Sequence, residues 1–102
     1  MASPTELPGT VVLLSSASND LARLRRKNRQ EFGRVWDDVK RLGHGTLPPQ
    51  GKKKLRSFDA FQFDSGRYRV VYSRRNAQYV IWAVFAKPDQ ADYLKWFRAA
   101  GL

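Results

Sequence analysis

Two strand-like segments joined by a short polar break constrain the fold of this chain more than any other feature. They span residues 66–72 and 79–85, and both are rich in β-branched and aromatic residues. In an extended chain successive side chains point to opposite faces, so Tyr68, Val70 and Tyr72 share one face and Arg69 lies on the other. The second segment is apolar on both faces, which is typical of a strand inside a sheet. The pair predicts a β-hairpin whose second strand is central.

Arg69 is the unusual residue of this hairpin, because it places a cation within an otherwise apolar strand. Removing a guanidinium from water is costly unless an anion or a hydrogen-bond acceptor meets it there. Arg69 is therefore a candidate phosphate ligand. The alternative is an arginine on the wet face of an antiparallel sheet, which many such sheets leave exposed to solvent.

The N-terminal half predicts one strand followed by helices. Residues 10–16 are an apolar, β-branched run behind a Pro-Gly turn, as expected of a strand. Residues 18–20, Ser-Asn-Asp, are a helix-start signal. Asn28 and Glu31 have capping-box spacing, so a second helix starts there or a single long helix bends just before it. Gly43 is predicted to end this helical region.

The C-terminal half predicts three antiparallel strands and a closing helix. A loop over residues 43–51 leads into a run of three lysines, and residues 61–64 alternate as a half-buried strand does. The hairpin segments follow, with Asp64 in the first turn, and Pro88 suits the start of the last helix. The chain is thus predicted to be α+β: an N-terminal strand, a helical hairpin, a three-stranded antiparallel meander and a short C-terminal helix.

Composition narrows the range of functions. The 102 residues suffice for one domain, in which residues 1–9 are expected to be a flexible lead. There is no cysteine and only one histidine, His44, so thiolate and multi-histidine metal sites are excluded and no cofactor is expected. Nineteen Lys and Arg against nine Asp and Glu give a net charge of +10, which points to a polyanionic partner. Without a signal sequence or membrane span, a cytoplasmic protein is expected.

The order of elements and two short motifs resemble the RelE/ParE superfamily of bacterial toxins. The motifs are Lys53-Lys54-Leu55 after a glycine-containing loop and the segment Tyr68-Arg69-Val70-Val71-Tyr72. The resemblance covers about residues 10–97. It implies a compact α+β toxin with helices packed on one face of a small twisted sheet, neutralised by a cognate antitoxin. RelE-like and HigB-like members cleave messenger RNA on the ribosome, whereas ParE-like members poison DNA gyrase.

The resemblance also implies site residues. Arg69 matches the arginine that lies beside the scissile phosphate, Lys87 matches a basic residue after the last strand, and Tyr93 matches a tyrosine that some members use. The chain departs from the family at Gln62 and Asp64, where RelE itself carries basic residues. Five basic residues near this site are predicted to contact RNA: Lys52, Lys53, Lys54, Arg56 and Arg67.

The chemistry of a metal-independent ribonuclease needs a base, an acid and a cation for the phosphate. Arg69 suits the phosphate, with Lys87 as a second charge, and Tyr93 suits an acid or base. Asp64 and His44 are both candidate bases. The leading hypothesis is therefore a ribosome-dependent mRNA endonuclease. Two alternatives stay open: a non-nuclease binding protein, such as a ParE-like gyrase poison or a silent RNA-binding relative, and a basic subunit that only assembles with an acidic partner.

Overall fold

The computed structural model describes residues 8–47, 52–55 and 58–100. The elements of these ranges are, in chain order, β1 Thr10–Leu13, α1 Ser15–Lys27, α2 Arg29–His44, β2 Lys52–Lys54, β3 Phe61–Ser65, β4 Tyr68–Arg75, β5 Gln78–Ala86 and α3 Gln90–Ala99. A 3₁₀ turn, Lys87–Asp89, links β5 to α3. The predicted flexible lead falls largely on residues 1–7, which lie outside the described ranges. Within the described ranges no helix is long and apolar enough to cross a membrane.

The strands form one mixed sheet in the order β1-β5-β4-β3-β2. β1 runs parallel to β5, and the other neighbours are antiparallel. The central position predicted for the last strand is confirmed, since β5 lies between β1 and β4. The lysine run, for which no strand was predicted, forms a short edge strand, β2, whose backbone pairs with residues 61–63 of β3, so the predicted three-stranded meander has four strands.

The α+β class and the order of elements are confirmed, and the sheet has a core on each face. On one face α1 and α2 cover a cluster that includes Val70, Tyr72 and Ile81. On the other face Val71, Ala83 and Phe85 pack against α3. The expectation that the helices share one face therefore holds for α1 and α2 only. α3 lies on the opposite face because β5 is apolar on both sides and needs cover on each.

The helical region is a hairpin of two helices, and its boundaries differ in part from the predicted ones. The capping box is confirmed, since the side chain of Asn28 accepts a hydrogen bond of 3.1 Å from the N–H of Glu31. The predicted end at Gly43 is wrong, because the helix continues to His44 and Gly45 adopts the left-handed conformation, with φ 74°. α1 begins at Ser15, ahead of the predicted start at residues 18–20.

α1 starts early because it closes the edge of β5. β1 pairs with β5 only as far as Ile81, which leaves the later backbone groups of β5 without a neighbouring strand. The hydroxyl of Ser16 donates to the carbonyl of Trp82 at 2.6 Å, and the carboxylate of Asp20 accepts from the N–H of Val84 at 3.0 Å. Buried backbone groups need such partners. Asp20 is therefore buried on the sheet-facing side of α1, and it is not a helix cap.

The two glycines of α2 give a direct test of this packing. A Cβ at Gly43 would lie 2.7 Å from Cγ2 of Val11 in β1, whereas a Cβ at Gly33 would meet no atom within 4 Å. We expect Gly43→Ala to lower the free energy of unfolding by about 1–3 kcal/mol, because a stiff valine must be displaced. The matched Gly33→Ala should raise it by up to about 1 kcal/mol, from helix propensity alone. Urea unfolding of both variants measures this, and equal effects would contradict the close approach of α2 to β1.

Candidate functional site

The candidate site forms around the tight hairpin that joins β3 and β4. A two-residue turn connects the strands, with Gly66 at φ 60°, a conformation that glycine adopts without strain. The resulting register sets Asp64 directly opposite Arg69. Asp64 was predicted to lie in the turn. It lies in β3 because the strand continues to Ser65, and its side chain therefore meets that of Arg69 across the pair.

The guanidinium of Arg69 is held on two sides. Its Nε donates to Oδ1 of Asp64 at 2.8 Å and its Nη2 to Oδ2 at 3.3 Å, while Nη1 donates to the side-chain oxygen of Gln90 in α3. The Arg69 side chain is only 19% exposed, so these acceptors offset its loss of water. The anion expected beside Arg69 is thus present in the protein itself.

Lys87 shares this carboxylate. Its Nζ lies 3.3 Å from Oδ2 of Asp64, and its backbone N–H donates to the carbonyl of Arg67 at 3.2 Å, which fixes the end of β5 against the hairpin turn. Hydrogen bonding to Arg69, together with its charge and that of Lys87, holds the pKa of Asp64 below its ordinary value of 3.8 despite partial burial. Asp64 is therefore an anion at neutral pH, between two cations.

The outer side of the hairpin is also basic. Lys27, Arg67 and Lys87 line an open cavity of about 550 Å³, together with Tyr68. The side chain of Arg67 is 87% exposed, and its Nε lies 3.8 Å from a carboxylate oxygen of Glu31. Arg67 and Lys87, both predicted from the sequence to act on RNA, thus border the same cavity.

The lysines of β2 lie across β3 from this cluster. Lys53 pairs with Gln62, so it shares the face of Asp64 and Arg69, whereas Lys52 and Lys54 point to the other face. The side-chain oxygen of Gln62 is buried and has no donor in the described part of the chain. Arg56, the fifth residue predicted to contact RNA, lies outside the described residues.

Tyr93 has different partners from Arg69 and Lys87. Its ring stacks on Phe85 at 4.4 Å between centroids, and its hydroxyl donates to Oδ1 of Asp20 in α1 at 3.0 Å. Burial, with the charge of Asp20, raises the pKa of Tyr93 to about 12. The hydroxyl therefore keeps its proton at neutral pH, and it binds a carboxylate. Of the three residues that the resemblance implies, Arg69 and Lys87 share the carboxylate of Asp64, whereas the hydroxyl of Tyr93 binds Asp20.

His44, the other base considered from the sequence, ends α2 at the far end of the sheet. The carbonyl next to it, on Gly43, accepts from the N–H of Gly9, just before the start of β1. That start pairs with Gln78, whereas Arg69 pairs with Phe85 at the other end of β5. His44 therefore has no place in the cluster around Asp64.

Two residues of this region were missed by sequence reasoning. Asp20 binds Val84, Tyr93 and Arg23 at once, and Gln90 holds the guanidinium of Arg69. A signal for Asp20 exists in the sequence, since helical spacing places it on the stripe that Leu21 and Leu24 define. A carboxylate on an apolar stripe needs a buried donor. Nothing in the local sequence distinguishes Gln90, because its role depends on where α3 lies over the sheet.

Among the solved structures that share this fold are a chain of a toxin–antitoxin complex, YafQ and YoeB. No family model matches the chain, and no curated protein matches it significantly. A chain of the RelBE2 toxin–antitoxin complex from Mycobacterium tuberculosis superposes with a TM-score of 0.66 at 24% identity, covering 79% of this chain and 100% of that one.

YafQ from E. coli gives a TM-score of 0.66 at 14% identity, covering 80% of this chain and 97% of its own. The YoeB dimer from Staphylococcus aureus gives 0.61 at 16% identity, covering 74% and 92%. At these identities the likeness is one of fold. The fold that the resemblance implied is confirmed.

The pKa of Tyr93 predicts an alkaline limit to stability. A pKa raised above its unfolded value near 10 stabilises the fold fully below pH 10, and that stabilisation is lost as the pH rises toward 12. We therefore expect the wild-type protein to lose more unfolding free energy between pH 9 and about pH 11.5 than Tyr93→Phe, which has no proton to lose there. Urea unfolding at the two pH values tests this, and parallel losses would contradict the raised pKa of Tyr93.

Proposed function

We propose that this chain is the toxin of a bacterial toxin–antitoxin pair, and that it inhibits translation in the cytoplasm by cleaving messenger RNA on the ribosome. The observation that carries the proposal is the convergence of Arg69 and Lys87 on one carboxylate. Two cations that already bind one carboxylate can bind a phosphodiester oxygen in its place. The net charge of +10 and the RelE-like fold support the same function.

In this proposal the chain acts on the phosphate through charge. Arg69 offers two parallel N–H groups to phosphate oxygens and stays protonated, so it can stabilise the negative charge that develops in the transition state. Lys87 adds a second charge beside it. Arg67 and Lys53, which flank the cluster, bind neighbouring phosphates of the strand. The proposed chemistry uses no metal or cofactor.

An antitoxin is the second proposed partner. The chain likened to this one in the RelBE2 structure belongs to a toxin–antitoxin complex. A groove of about 700 Å³ between α1 and α2 is lined by Arg25, Arg26, Arg29, Phe32 and Trp36, among others. Its combination of arginines and aromatic rings suits a partner that is acidic and amphipathic.

One observation favours a second candidate, a toxin-like protein without nuclease chemistry. Asp64 already neutralises part of the charge on Arg69 and Lys87, and the hydroxyl of Tyr93 is occupied by Asp20. A chain of this kind binds its target through surface charge, either as a silent RNA-binding relative or as a ParE-like gyrase poison.

Replacement of Arg69 tests the nuclease proposal. Arg69→Ala should abolish growth arrest on expression and lower the rate of mRNA cleavage at least about 100-fold, the usual effect of losing one donor to a transition-state oxyanion. Arg75→Ala is the matched control, because Arg75 is an exposed arginine at the other end of the same strand. It should leave the arrest intact. Arrest that persists in Arg69→Ala at equal expression would refute the role of Arg69.

Mapping of RNA and DNA ends in arrested cells separates the two candidates. New 5′ ends within translated messages, absent when Arg69→Ala is expressed, support the nuclease. Double-strand breaks in DNA with intact messages support the gyrase poison. Arrest with neither kind of break supports a silent RNA-binding protein.

A further inference from the structure

The carboxylate of Asp64 binds both cations of the proposed phosphate site, Arg69 and Lys87. Its two carboxylate oxygens accept from Nε and Nη2 of Arg69, which form one of the guanidinium edges that offer two parallel N–H groups. Phosphate and carboxylate both bind that edge in the same bidentate way. One of these oxygens, Oδ2, also lies 3.3 Å from Nζ of Lys87. Asp64 thus makes the contacts that the two cations would give to a phosphate.

The remaining contacts of Arg69 leave little room for a phosphate beside Asp64. Nη1 is bound to Gln90, and the whole side chain is only 19% exposed. By contrast, the side chains of Asp64 and Lys87 are 44% and 42% exposed. A ligand from solvent therefore reaches Asp64 and Lys87 first, and it binds the paired N–H groups of Arg69 only when the carboxylate moves away.

We propose that Asp64 is an internal counter-anion that competes with the RNA backbone for Arg69 and Lys87, and so weakens the hold of the isolated protein on single-stranded nucleic acid. The inference rests on the phosphate site of the proposed function, but it concerns binding and not cleavage. It predicts that loss of the Asp64 charge strengthens binding, whereas a purely structural ion pair would show no such increase in affinity.

The test is equilibrium binding of the full-length protein to a fluorescent single-stranded oligodeoxythymidylate. This probe has backbone phosphates but no 2′-hydroxyl, so cleavage of the kind proposed cannot affect the readout. Asp64→Asn should lower Kd by about 10-fold or more, the worth of a hydrogen bond to a charged group. It should also steepen the dependence of log Kd on log salt by about 0.7 for each additional phosphate that the protein neutralises.

A matched variant controls for net charge. Asp59 is an exposed aspartate just before the other end of β3, and Asp59→Asn adds the same unit of charge away from Arg69. It should change Kd by less than about 3-fold, as expected of a solvated surface charge. The double variant Asp64→Asn with Arg69→Ala should lose the increase in affinity, because the freed cation is then missing.

Three results would overturn the inference. Asp64→Asn could bind like Asp59→Asn, it could bind more weakly than the wild-type protein, or its tighter binding could persist without Arg69. The asparagine of Asp64→Asn can still accept a hydrogen bond from Arg69. Asp64→Ser, whose shorter side chain cannot reach the guanidinium, therefore repeats the test. Because no step uses the ribosome or a scissile bond, a protein that cleaves no RNA can still show the predicted increase in affinity, and a nuclease can fail to show it.

Discussion

The fold depends on one strand that is apolar on both of its faces. β5 carries Ile81 and Val84 toward α1 and α2, and Ala83 and Phe85 toward α3, so neither face can be left to water. This requirement sets the three-layer order of helices, sheet and helix. It also explains why α1 lies along the edge of β5 beyond the end of β1, where Ser16 and Asp20 bind backbone groups that would otherwise be buried without partners.

The same layered packing creates the site. α3 brings Gln90 over the sheet, the end of β5 brings Lys87 to the hairpin turn, and the register of β3 and β4 sets Asp64 beside Arg69. A guanidinium that is mostly covered by protein needs an acceptor, and here the carboxylate supplies it. Two cations and one anion leave a single net positive charge in the cluster. If a basic residue replaced Asp64, its positive charge would repel that of Arg69.

The parts of the fold and of the candidate site that depend on short stretches of sequence were predictable. The capping box at Asn28, the hairpin around Arg69 and the interior position of β5 all follow from short-range patterns.

The features that sequence reasoning missed are those that depend on contacts between segments far apart in the chain. Gly43 has the character of a helix end, but it lies inside the helix, at a place where Val11 of β1 approaches too closely for a side chain. The lysines of β2 form a strand because β3 offers an edge, which no pattern within three like charges reveals. The hydrogen-bond partner of Tyr93 is a buried aspartate, Asp20, which lies 73 residues away in the sequence.

The lysine strand at the margin of the sheet has a consequence for assembly. Among the described strands β2 ends the sheet, and it carries Lys52, Lys53 and Lys54 along this edge. A second copy that added its own β2 edge would bring both sets of lysines within a few ångströms, and like charges directly opposite each other oppose such pairing. The sheet therefore stops growing at this edge by electrostatic repulsion. β1 at the opposite margin, with Val11, Val12 and Leu13, carries no such barrier, so the two ends of the sheet differ in their capacity for self-association.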